Sequence, residues 1–102
     1  MPDDPGGIVP PPGGFHPPVK RSMTIAAHPT SISLEPIFWD ALEAAAAARG
    51  LPLSALVAQV DYLRIQANDP PNLASALRSW LLTDATIMKV IRISVDSAND
   101  SQ

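Results

Sequence analysis

The chain changes its hydrophobic period once, from two residues to between three and four. In Pro29–Leu34 (PTSISL) Ile32 and Leu34 fall on one side and Ser31 and Ser33 on the other, the alternation of a half-buried strand. Pro29 and Pro36 bound that run and keep it short. Upstream, Lys20–Ile25 (KRSMTI) sets Met23 and Ile25 against Ser22 and Thr24 and reads as an extended approach. From Pro36 the spacing becomes helical. Pro36 suits a first helical turn, Phe38, Leu42, Ala45 and Arg49 share a stripe, and Gly50 supplies a left-handed C-cap. A second helix opens at Pro52 or Ser54 and buries Leu53, Leu56, Val57, Val60 and Leu63, until NDPP at 68–71 stops it. Asn72 caps a third, with Leu73, Leu77, Trp80 and Leu81 at helical spacing. Past Asp84, IMKVIRISV fits a strand or a helical continuation, and the polar residues after Val95 predict an unstructured end.

This pattern predicts a mainly α fold with one short β-strand. A lone strand leaves backbone donors and acceptors unpaired, at about 1–3 kcal/mol for each one buried. Two copies aligned antiparallel about a twofold axis satisfy them. Ile32, Leu34, Phe38, Leu42, Leu56, Val57 and Val60 would then form a dimer core. The alternative pairing is intramolecular, with Met23–Ile25 folding back on Ile32–Leu34 through Ala26–Pro29. A two-stranded ribbon on its own is barely stable.

Composition narrows the domain. Of the 102 residues, 12 are prolines, and seven of these crowd into residues 1–19 with four of the 5 glycines. Such a segment buries too little apolar surface to offset its ordering entropy, and it reads as a disordered arm. Residues 20–83 are the folding unit and 84–102 a tail of undefined structure. A unit of roughly sixty to eighty residues has a marginal core of its own, which also favours a partner copy. With Cys 0 there is neither disulfide nor thiolate chemistry, and His16 and His28 are too few for a zinc site, so no metal or cofactor is expected. Neither a signal peptide nor a membrane-length apolar run is present, and the expectation is a soluble, cytoplasmic protein.

Net charge is −3, which by itself disfavours nucleic acid. Between Lys20 and Thr83, however, Lys20, Arg21, Arg49, Arg64 and Arg78 balance Glu35, Asp40, Glu43, Asp61 and Asp69, so the folding unit is neutral. Asp40 and Glu43 lie three apart on one helix with no histidine or nucleophile beside them. They read as surface charges, and the chain is not expected to be an enzyme. Trp39 and Trp80 read as packing residues.

The blocks KRSMTIAAHPTSISLEPIFWDAL, ARGLPLSALV and NLASALR together resemble the Arc/MetJ-like ribbon-helix-helix superfamily, in particular its short bacterial proteins, over Lys20 to about Leu82. The resemblance implies a homodimer whose two-stranded ribbon enters the major groove of double-stranded DNA, as in a transcription regulator. It would put Pro29, Ser31 and Ser33 on the face meeting base edges. Lys20 and Arg21 would lie at phosphates, with the helix start at Pro52, Leu53 and Ser54 offering backbone N–H groups to another. Pro29 stands where a long polar side chain would be expected, and Pro52 where a capping hydroxyl is usual. The competing expectation is an interaction or antitoxin-like protein that keeps the dimer and grips a polypeptide through its tails.

Overall fold

The computed structural model describes residues 6–84. Two strands, β1 (Val19–Ile25) and β2 (His28–Leu34), precede two helices, α1 (Pro36–Ala48) and α2 (Leu53–Ile65). A third helical run, α3, occupies 73–84. The IMKVIRISV segment lies outside the described residues.

The ribbon corrects the single-strand expectation. β2 finds its neighbour in its own chain, pairing antiparallel with β1 in the register Val19↔Leu34 through Ile25↔His28. Only Ala26 and Ala27 separate the strands, both at positive φ (50° and 71°). This is the backbone of a tight hairpin turn whose twist matches its strands, and Asn-Gly or Gly-Gly is the usual sequence for it. Because the turn has two residues, Ile25 and His28 form its first hydrogen-bonded pair and the ladder alternates from there. The backbone groups of Lys20, Ser22 and Thr24, and of Pro29, Ser31 and Ser33, therefore face the two outer rims. Pro29 withdraws no donor from the ribbon, because its nitrogen lies on the rim.

The ribbon's inner face carries Ile25, Ile32 and Leu34, all buried, and rests on the helices. Trp39, Leu42 and Ala46 of α1 complete the floor, so the buried stripe is rotated about one residue from Phe38, Leu42, Ala45 and Arg49. Phe38 and Ala45 pack at its edge. The reason is a bond: Trp39 Nε1–H donates to the Val19 carbonyl at 2.9 Å, which lets the larger aromatic go under the ribbon with its one polar group satisfied.

Gly50 (φ 65°) ends α1 as expected, with Leu51 N–H bonded to Ala46 O (2.9 Å) and Gly50 N–H to Ala47 O (3.1 Å). The chain then turns through 100° into α2. Leu56, Val57 and Val60 of α2 are buried, but Leu63 is 59% exposed, contrary to its predicted inward position. Asn72 caps α3 through Oδ1 to the Ser75 amide at 2.8 Å. Leu77, fully buried, carries α3 into the same core. Ile32, Leu34, Leu42, Leu56, Val57 and Val60, expected to need a partner copy for burial, are already covered within one chain. The third helix and the intramolecular ribbon together do the covering.

Candidate nucleic-acid interface

Strand alternation fixes the outer surface of the ribbon. Lys20, Ser22 and Thr24 of β1 stand opposite Ser33, Ser31 and Pro29 of β2, and all six are exposed. Ser22 and Ser31 hydroxyls meet across the strands at 3.1 Å. Seven residues per strand make a ribbon about 20 Å long. Its two-strand width is what a major groove admits.

The structure thus brings Pro29, Ser31, Ser33 and Lys20 onto one face. It adds Ser22 and Thr24, whose alternation with Met23 and Ile25 puts them on the same face. Arg21 goes the other way. Having the parity of Met23 and Ile25, it lies on the helix side, with its guanidinium 2.7 Å from Glu43 and 4.7 Å from the Trp39 ring centroid. It is spent on holding β1 to α1.

The same device recurs. Arg49 pairs with Asp84 (3.3 Å) over the Trp80 ring (5.2 Å), and Arg78 pairs with Glu35 (2.9 Å) over the Phe38 ring (5.5 Å). Arg64 pairs with Asp61 at 2.8 Å. An arginine between a carboxylate and an aromatic face combines Coulomb attraction with cation–π contact. Here it fastens α1 to β1 and α3 to both ends of α1. The Glu35 carboxyl is held below its usual range, chiefly by its own backbone amide and then by Arg78. Among the described residues Lys20 is the one cation with no carboxylate partner.

At the start of α2, the Ala55 and Leu56 amides donate to the Pro52 carbonyl (3.0 and 3.2 Å). That leaves the Leu53 and Ser54 amides as the open donors of the first turn, at the positive end of the helix dipole. His28 is exposed beside the hairpin tip, and its carbonyl accepts from Thr30 Oγ1 at 3.2 Å. No single helix among the described residues is long and apolar enough to cross a membrane.

A family model described as a ribbon-helix-helix domain matches residues 18–85 of the chain. No curated protein and no solved structure matches it significantly.

Proposed function

Since the chain belongs to the ribbon-helix-helix domain family, whose members are generally DNA-binding transcription regulators or antitoxins and usually dimerise, we propose that it is a DNA-binding transcription regulator reading the major groove with the β1–β2 ribbon. The observation that carries this reading is the outer ribbon face: the polar side chains of Lys20, Ser22, Thr24, Ser31 and Ser33 lie together on it, interrupted at Pro29, with the unpaired lysine at its end. Serine and threonine hydroxyls bond base edges with little discrimination. Sequence preference therefore rests as much on groove shape as on direct contacts. The Lys20 ammonium and the Leu53 and Ser54 amides hold phosphates, while Arg21 is left out because Glu43 already has it.

A second copy docks on the outer side of α2. Tyr62, Leu63 and Ile65 are 64%, 59% and 55% exposed there, beside a shallow hollow of about 370 Å³ walled by Ala58 and Gln59. This seam replaces the one the sequence suggested, because the strand no longer needs a partner.

Charge sets the expected behaviour. One free cation among the described residues of each chain gives about two phosphate neutralisations per dimer, hence a log K against log salt slope near −2 for this part of the protein. Between about 50 and 200 mM salt the affinity should fall only about tenfold. Anisotropy with genomic fragments tests this, and Lys20→Ala should flatten the slope by about one unit per chain. Absence of binding to any fragment at micromolar protein ends the proposal. The pairing of every described arginine with a carboxylate favours a second reading, an antitoxin-like module for a polypeptide partner. A co-purifying polypeptide with no fragment retarded would select it.

A further inference from the structure

Away from the ribbon's outer face, the proline arm forms one wall of a recess of about 430 Å³ against the start of α1. The arm is bent by a local turn. Gly14 N–H donates to Pro11 O at 2.8 Å, with Pro12 and Gly13 (φ 80°) at the two central positions, the arrangement of a type II turn. His16 Nε2–H donates back to the Gly13 carbonyl at 2.7 Å. Neither bond reaches α1, so the arm and the helix meet only through side-chain surfaces. Pro11, Pro12, Phe15 and His16 line the recess from the arm, and Pro36 and Ile37 from α1, with Glu35 and Asp40 as its acidic groups.

We infer that this recess is a binding site for a small amphipathic cation, an aromatic or alicyclic ring bearing an ammonium group. Its size falls in the range of small-molecule sites, and its walls are flat rings and aliphatic carbon suited to a ring. The sign of the charge follows from what the two acidic groups have left to offer, the His16 ring being turned to the Gly13 carbonyl. Arg78 occupies Glu35 at 2.9 and 3.1 Å, whereas Asp40 is exposed and has no cationic partner among the described residues. The helix start attracts an anion weakly: Pro36 has no N–H, the Phe38 and Trp39 amides already donate to the Glu35 carbonyl, and of the first turn the Ile37 amide alone is left open. A full carboxylate charge outweighs the half charge of a helix end. The Pro17–Pro18 pair then runs stiffly from the recess to Val19, whose carbonyl takes the Trp39 indole bond.

The test is a titration of the ¹⁵N-labelled full chain with benzylammonium, benzyl alcohol and benzoate, three probes sharing one ring and differing in charge. Benzylammonium should shift the Gly14, Ile37 and Asp40 amides along a saturable curve with a half-point on the order of 1 mM. The alcohol should bind more weakly, and benzoate should move none of these amides. Asp40→Asn should weaken benzylammonium roughly two- to fivefold, as loss of an exposed ion pair does. Phe15→Ala changes an exposed side chain and leaves the core intact, and it should weaken both benzylammonium and the alcohol. The inference is overturned if benzoate binds as well as benzylammonium, if Asp40→Asn changes nothing, or if no saturable shift appears. DNA binding plays no part in these readouts.

Discussion

The hairpin tip gives the sharpest quantitative expectation. Ala26 and Ala27 both sit at positive φ, where a Cβ crowds the following carbonyl. That conformation costs an L-residue about 1–2 kcal/mol, and glycine escapes the cost. Replacing Ala27 by glycine returns about 0.4–1 kcal/mol of the gain through a freer unfolded chain. The net expectation for Ala27→Gly is a stabilisation of about 0.5–1 kcal/mol, or about 3–6 °C in Tm for a domain of this size. Urea denaturation followed by tryptophan emission should show a higher midpoint at unchanged m, since no buried surface changes. Ala27→Val should move the midpoint the other way, because a β-branched residue tolerates positive φ least. The turn is intramolecular, so both shifts should be independent of protein concentration. A glycine variant no more stable than the parent, or a valine variant equally stable, would refute the turn geometry.

Two further expectations concern the third helix and its clamp. Leu77→Ala should cost about 2–5 kcal/mol, as for other fully buried leucines; a loss below 1 kcal/mol by denaturant titration would show that α3 does not close the core. Glu35 has a folded-state pKa below its ordinary 4.5, so its contribution is fully present above that value and disappears as pH falls through the folded pKa. Glu35→Gln should therefore be less stable than the parent at neutral pH and approach it in acid. Parallel stability curves from pH 7 to about pH 3 would show that neither its own backbone amide nor Arg78 favours the Glu35 carboxylate in the folded state.

Much of the helical part was legible because its signals are chemical and local. Pro36 at the first turn, Gly50 after the last and Asn72 before the third helix each act on neighbouring backbone groups, and each stands where expected. The ribbon was not. Ala26–Ala27 carries none of the residues that announce a two-residue turn, so the hairpin is imposed by what it covers rather than by its own chemistry. The alternation from Arg21 to Ile25 already placed Arg21 on the inner side, but a basic residue beside Lys20 reads first as a phosphate ligand. Leu63 shows the other limit. A helical stripe identifies an apolar face without saying whether the chain itself or another molecule covers it.

The proline at the ribbon's rim bears on how the protein behaves in a crowded solution. A bare two-stranded sheet invites further strands to add on either side, the route by which folded chains stack into fibrils. On one side Pro29 offers an incoming strand no hydrogen, and on the other Lys20 brings like charges together when copies approach edge to edge. The molecule can therefore leave the outer face of its ribbon uncovered while each of its two edges discourages a further strand.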